Sequence, residues 1–164
     1  MVLIRPAHPR DVPAIREMVD HYASRGILLT KATVTLYEDI QEFFVAEDEG
    51  VIIGCGALHV MWEDLAEVRT VAVRENTIRT GVGSAILEAL LVRARELDIT
   101  RIFCLTFETR FFGKHGFVEI EGSPVDPSVY PHMLESYDEG VAEMLGLERV
   151  KPNTLGNHRM LLEL

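Results

Sequence analysis

Two cysteines, one tryptophan and no long apolar run set the first limits on this chain of 164 residues. Cys55 and Cys104 each stand inside an apolar stretch, Val51–Trp62 and Arg101–Phe107, and neither belongs to a CxxC or CxxxC pair. A disulfide framework and a cysteine-based zinc site are therefore not expected. The six histidines, His8, His21, His59, His115, His132 and His158, make no HExxH or other close pair, so no metal is expected. No segment approaches the roughly 18–20 apolar residues that span a bilayer, and the opening MVLIRPAHPRD turns polar before a leader could form. The expected location is the cytoplasm. Positive charge is scarce as well: 16 Lys+Arg stand against 26 Asp+Glu, a formal charge of −10. Broad binding to nucleic acid or to an anionic membrane is excluded on that balance, whereas an anion held in a small local site is not.

What is present is an ordinary globular composition, 48% apolar and 26% charged, in a length that suits one domain. Val2–Arg5 reads as a strand broken by Pro6, His8 and Pro9. Asp11 then caps a helix to about Tyr22, whose apolar face is Val12, Ile15, Met18, Val19 and Tyr22. A second short helix is predicted over Val34–Phe43. Phe44–Glu47, Val51–Val60 and Glu67–Val73 read as three strands joined by the turns Asp48-Glu49-Gly50 and Glu63-Asp64, hence antiparallel neighbours. Gly54 and Gly56 inside the second of these predict a bulge or a close backbone approach. Val82–Leu97 is the strongest helix, with Val82, Ile86, Leu90 and Ala94 at i+4. The buried strand Arg101–Phe107 follows it, a β-helix-β crossover compatible with parallel pairing. A short helix Thr109–His115, a strand Phe117–Ile120, a helix near His132–Leu145, a polar loop Lys151–Asn157 and a last strand Met160–Leu164 complete the order.

The loop Arg79-Thr80-Gly81-Val82-Gly83-Ser84 joins a strand to the strongest helix. Its glycines let the backbone turn and approach a ligand, and the free N–H groups of the first helical turn favour an anion, phosphate above all. Arg74 and Arg79 could add charge at the rim. No Gly-Lys-Ser/Thr follows, so it is not a Walker A loop, and Ile86 stands where a dinucleotide fingerprint needs its third glycine. The same glycines could equally serve only to shape a loop and a helix start.

With this loop the chain resembles the Gcn5-related N-acetyltransferase (GNAT) family, from Leu3 to about Glu121. Gly81 and Gly83 match the glycines of the acyl-CoA loop, while Ile78 stands in place of its Arg or Gln. Phe112, four residues before Gly116-Phe117, stands where many members have a proton-donating Tyr. The segments GILLTK (26–31), VTLYEDIQE (34–42), VAEDEGVIIGCGALH (45–59), EVRTVAV (67–73), FCLTFETRFFGKHGF (103–117) and VKPNTLGNHRMLL (150–162) are similar to N-acetylglutamate synthases, in particular the short, stand-alone type. The resemblance implies an α/β acyl-CoA N-acyltransferase fold with a mixed, largely antiparallel sheet flanked by helices. It implies one domain over 1–164, with 123–164 an extension that completes the sheet and the acceptor site. It further implies direct transfer of acetyl from acetyl-CoA to the α-amine of L-glutamate, the first step of arginine biosynthesis. Larger synthases carry an amino-acid-kinase-like domain for which 164 residues leave no room, so arginine feedback through such a domain is not expected.

On the same resemblance, the backbone of Thr70, Val71, Ala72 and Val73 pairs with the pantetheine arm, and Arg79, Thr80, Gly81, Val82, Gly83 and Ser84 hold the pyrophosphate. Direct transfer needs a route for the amine proton. Glu67, at the start of its strand, could take it directly or through water, or be a solvated carboxylate at a hairpin end. Glu108 is a second candidate base, or a cap of the helix that follows. A glutamate acceptor needs cations for its carboxylates. Lys31 matches a basic position of the synthase motif, though it could also be an exposed loop lysine. Arg69 lies inside a strand, and plain alternation puts it on one face with Glu67 and Val71, opposite Val68, Thr70 and Ala72. Arg159 is a third candidate for substrate, with Arg110 and Lys151 weaker. Expected partners are L-glutamate or a similar amino acid and, in a homodimer, a second copy of the chain. Glutamine or another small amine is the alternative acceptor. Phe112 and Ile78 also leave open a domain that binds acyl-CoA without turnover.

Overall fold

The computed structural model describes residues 1–28, 31–78, 80–147 and 156–164. A seven-stranded sheet runs in the order β1-β2-β3-β4-β5-β7-β6. β1 (Val2–Pro6), β2 (Phe43–Asp48), β3 (Val51–Trp62) and β4 (Leu65–Val73) are successive antiparallel neighbours. β5 (Arg101–Thr106) pairs parallel with β4, and β7 (His158–Glu163) lies antiparallel between β5 and the two-residue β6 (Val118–Glu119). The sheet is thus mixed and largely antiparallel, as expected.

Helices cover both faces. α1 (Val12–Ala23) and α2 (Thr33–Glu38) bury Ile15, Val19 and Leu36 against Val45, Cys55 and Ala57. On the other face α3 (Val82–Glu96) buries Ile86, Leu87, Leu90 and Leu91 against Val68 and Ile102. Its inward stripe is wider than the i+4 series predicts: Leu87 and Leu91 belong to it, while Leu97, past the helix end, is exposed. Gly54 and Gly56 let α3 sit this close. A β-carbon on either would lie 2.8 Å from Ile86, so the bare backbone is the seat of that side chain. α4 (Thr109–Lys114), α5 (Tyr130–Met133) and α6 (Glu139–Met144) are short, and the last two pack Met133, Val141 and Met144 on Leu65 and Phe103.

Several boundaries differ from expectation for local reasons. The helix expected over Val34–Phe43 ends at Asp39, followed by a 3-10 turn Ile40–Glu42, and Phe43 already belongs to β2. The single helix expected near His132–Leu145 is two helices. Asp138 interrupts it by adopting an extended conformation and accepting the backbone N–H of Val141, an N-cap that starts α6 afresh. The polar loop expected over Lys151–Asn157 lies largely outside the described residues.

Two irregularities shape the centre of the sheet. β4 and β5 pair only from Leu65↔Arg101 to Glu67↔Phe103, so the strands part beyond Glu67 and leave a cleft. Opposite β3, Cys55 pairs with Ala72 and Ala57 with Arg69, which sets Thr70 and Val71 against the single residue Gly56. This is a β-bulge, and Thr70 takes a left-handed φ of 58° within it.

Candidate active site

The bulge corrects the plain alternation expected of β4. Glu67 and Arg69 do share a face, but the extra residue shifts the phase, so Val71 and Val73 pack with Val68 on the α3 side while Ala72 joins the α1 side. One strand therefore presents its polar pair to one pocket and its later residues to another. The carbonyl of Thr70 accepts the thiol of Cys55 at 3.5 Å, and burial pushes that thiol's pKa up to about 12, so Cys55 stays a neutral donor.

The first pocket is lined by Lys31, Glu67, Arg69, Thr70, Gly140, Glu143 and Asn157, with Ile27, Leu28, Val68 and Leu105 as its apolar part. The side chains of Glu67 and Arg69 are 4% and 9% exposed. Arg69 donates Nε to Glu67 at 2.6 Å and both terminal nitrogens to Asp138 at 2.7 Å, a bidentate clamp. Burial opposes the Arg69 charge, yet the two carboxylates hold its pKa above the ordinary value. Burial outweighs Arg69 at Glu67 and raises that carboxyl. At Asp138 burial also favours the neutral acid, but the guanidinium wins and lowers it. Behind Asp138 stands His59, paired with Glu67 across the ladder, whose Nδ1 lies 2.8 Å from Glu42 and whose Nε2 lies 3.9 Å from Asp138.

Lys31 enters this pocket from the chain before α2. Arg16 of α1 donates to its carbonyl at 3.2 Å and to the Thr33 hydroxyl at 2.5 Å, which fixes the approach. Burial, then the nearby Arg69 charge, lowers the Lys31 ammonium against the opposing charges of Asp138, Glu67 and Asp39. Arg159 is not among the residues that line this pocket. Its guanidinium donates to the carbonyls of Met144, Glu143 and Gly122, closing the C-terminal end of α6 (2.7, 3.2 and 3.0 Å). Lys151 lies outside the described residues.

The second pocket is a groove of about 650 Å³ on the far side of the bulge. Val71, Ala72, Val73, Gly81, Gly83, Ser84 and Glu108 line it, with Ile78 at the rim. Gly81 takes φ 87° at the N-cap of α3, and no side chain caps that helix. Its first-turn N–H groups are left for an anion. Nothing inside the chain demands glycine at 83, since a β-carbon there would meet only the Phe111 ring at an ordinary 3.5 Å. Its absence keeps the groove floor bare, which fits a phosphate-bearing cofactor. Thr80 is exposed at the turn, and the Val82 side chain is buried under Gly54, so only its backbone belongs to the loop. Arg79 lies outside the described residues. Glu108 makes no cap hydrogen bond to α4, contrary to the alternative role considered for it. Phe112 is buried in the core against Phe117, and its neighbour Phe111 faces the groove.

Sequence reasoning missed several residues at both pockets. Tyr22 lines the groove and donates its hydroxyl to the Val73 carbonyl at 2.5 Å, although helical spacing marks it only as apolar. Asp138, Gly140, Glu143 and Asn157 come from the C-terminal region. Asp138 followed by Glu139 could have signalled a helix start, but nothing local ties it to Arg69, 69 positions earlier.

A model of the acetyltransferase (GNAT) family matches residues 13–117. The amino-acid acetyltransferase of Mycobacterium tuberculosis is 56% identical over 165 residues, covering 99% of this chain and 94% of that protein. The crystal structure of Rv2747 from M. tuberculosis in complex with CoA and NLQ superposes with a TM-score of 0.96 over 99% of both chains, at 56% identity. N-acetylglutamate synthase from Neisseria gonorrhoeae, complexed with coenzyme A and N-acetyl-glutamate, aligns with all of this chain and 35% of its own at a TM-score of 0.79 and 26% identity.

Proposed function

We infer the function from a premise the comparisons supply, that the chain belongs to the acetyltransferase (GNAT) family. It is an acetyl-CoA-dependent amino-acid N-acetyltransferase, closely related to the N-acetylglutamate synthases. The acceptor we propose is L-glutamate, which would place the reaction at the first step of arginine biosynthesis. The observation that carries this reading is the presence, in one pocket, of both the carboxyl of Glu67 and the ammonium of Lys31.

Acetyl-CoA supplies an activated acetyl thioester, and the remaining tasks fall on the chain. Lys31 holds an acceptor carboxylate. Arg69 positions Glu67 through Nε and keeps two of its five N–H groups for an acceptor carboxylate. Glu67 takes the proton of the acceptor amine, directly or through water, and burial, by raising its pKa above the ordinary carboxyl value, makes it a stronger base. The bulge at Thr70 and Val71 leaves ladder groups unpaired where the two pockets meet, the kind of backbone donor that stabilises charge on an acyl oxygen. Gly81, Gly83, Ser84 and the first turn of α3 hold the pyrophosphate. Residues 123–164 act as an extension of the single domain, supplying β7 to the sheet and α6 to the acceptor pocket. The homodimer belongs to the same proposal: β1 ends the sheet with Val2 and Leu3 exposed, and pairing with a second copy would cover them.

One observation favours a second acceptor, glutamine. Glu143 and Asn157 stand on the pocket wall, Asn157 donating to Glu143 at 2.8 Å, and a carboxamide suits an acidic neighbour better than a carboxylate does. Side-by-side assays of CoA release with glutamate, glutamine and a panel of small amines test both. Acetylation of another amine with no acetyl-CoA-dependent product from glutamate would overturn the glutamate assignment.

A further inference from the structure

Ser84, His115 and Glu88 form a hydrogen-bonded row at the α3 end of the groove. His115 Nε2 lies 3.2 Å from Ser84 Oγ, and His115 Nδ1 lies 3.0 Å from Glu88 Oε1. Ser84 lines the groove, while the imidazole is 14% exposed and packs on Phe111 with ring centroids 5.3 Å apart. The groups facing this ring are Ser84 and Glu88 from α3 and Phe111 from α4. The neighbouring Lys114 lines the groove, and next to the ring Gly116 abuts the apolar Leu162 of β7.

The hydrogens in this row follow from its donors and acceptors. A carboxylate only accepts, so Nδ1 carries a hydrogen toward Glu88, and in the neutral ring Nε2 carries none. Ser84 must then donate its hydroxyl hydrogen to Nε2, which leaves its lone pairs facing the groove. That polarity repels a phosphate oxygen. A second proton on the ring reverses it. Nε2–H then donates to Ser84 Oγ, the hydroxyl hydrogen turns into the groove, and a positive charge stands one residue behind the anion.

We propose that His115, acting through Ser84, couples binding of the CoA pyrophosphate to uptake of one proton from solvent, so that the chain holds its cofactor more tightly as pH falls. The inference rests on the groove being the CoA site, and the test separates the two readings.

Dephospho-CoA is the suitable probe. It keeps the pyrophosphate and lacks the 3′-phosphomonoester, a group that itself titrates near pH ~6. Calorimetric titration of the whole protein in two buffers of different ionisation enthalpy counts the protons. The expected result is net uptake in the wild type and a Kd that tightens about fivefold from about pH 8 to about pH 6, within the tenfold per pH unit that one proton allows. His115→Gln abolishes the uptake and flattens the curve. Ser84→Ala weakens binding at low pH but keeps part of the dependence, because the imidazolium charge remains. Binding without proton uptake in the wild type, a count that needs no variant, overturns the inference and leaves the groove assignment standing. A pH dependence unchanged in His115→Gln does the same. Failure of dephospho-CoA to bind at any pH overturns the groove assignment and the inference with it.

Discussion

Gly140 lies against the guanidinium of Arg69 so closely that a β-carbon on it would overlap Nη2 and the central carbon. The first turn of α6 can reach Arg69 only because residue 140 has no side chain, and Asp138 reaches Arg69 from the same turn. Gly140→Ala is expected to lose about 1–3 kcal/mol of stability from overpacking and to lower activity by displacing the clamp. Chemical unfolding and steady-state kinetics on the same preparation read both.

Glu67→Gln removes the proposed base and keeps the shape. A turnover loss of about 10²–10⁴-fold is expected, with CoA affinity unchanged. In the wild type the base works only when deprotonated, and burial raises its pKa. The rate therefore falls as pH drops through that raised value, and this acidic limb is absent from the residual activity of Glu67→Gln. Full activity in the variant would remove Glu67 from the mechanism.

Lys31→Met should raise KM for the acceptor by about 10–100-fold, the worth of a charge-assisted hydrogen bond of about 1.5–3 kcal/mol, with KM for acetyl-CoA little changed. The ammonium binds a carboxylate only while protonated, and its pKa is lowered. Acceptor affinity is thus lost on the alkaline side, beginning at a lower pH than an ordinary lysine would show. An acceptor KM that ignores both the substitution and alkaline pH would exclude this role.

Asp138→Asn tests the clamp through stability. Arg69 lowers the Asp138 pKa from its ordinary 3.8. The stabilisation this carries is complete above that ordinary value and is lost as pH falls through the lowered one. The variant is expected to be about 1–3 kcal/mol less stable near neutrality, with the gap to wild type closing in acid. A gap independent of pH would mean that the charge of Asp138 contributes nothing.

Gly56→Ala places a β-carbon 2.8 Å from Ile86 and 3.1 Å from Leu90. Pushing α3 off the sheet is expected to cost about 1–3 kcal/mol and to weaken CoA binding, since the same helix heads the groove. Thermal unfolding and calorimetry check the two effects separately.

The strand order and the long helix were legible because their signals are local: Asp48-Glu49-Gly50 is a turn wherever it stands, and Val82–Ala94 repeats at helical spacing. Gly54 and Gly56 announced a bulge or a close approach, and the structure has the close approach at both and a bulge opposite Gly56. The bulge lies on the opposite strand, though, so its effect on the Arg69–Val71 phase could not be read from β4 alone. The cofactor loop was visible in two glycines two positions apart. The first pocket was legible only in part, as Glu67, Arg69 and Lys31, because its other wall is α6. What binds Asp138 to Arg69 is three-dimensional proximity over 69 residues, and the three carbonyls that Arg159 meets belong to backbone no pattern marks.

The single extra residue at Thr70 gives β4 a division of labour. Positions 67 to 70 line the first pocket and positions 71 to 73 line the groove. On the proposed function, a substitution before the bulge is expected to alter which amine is presented, and one after it how the thioester is gripped. The acceptor side can accordingly be recut for a different amino acid while the donor side is inherited intact. A one-residue deletion here would close the bulge, leaving Val71 and Val73 on the face of Val68 but removing the local kink that turns the strand from one pocket to the other.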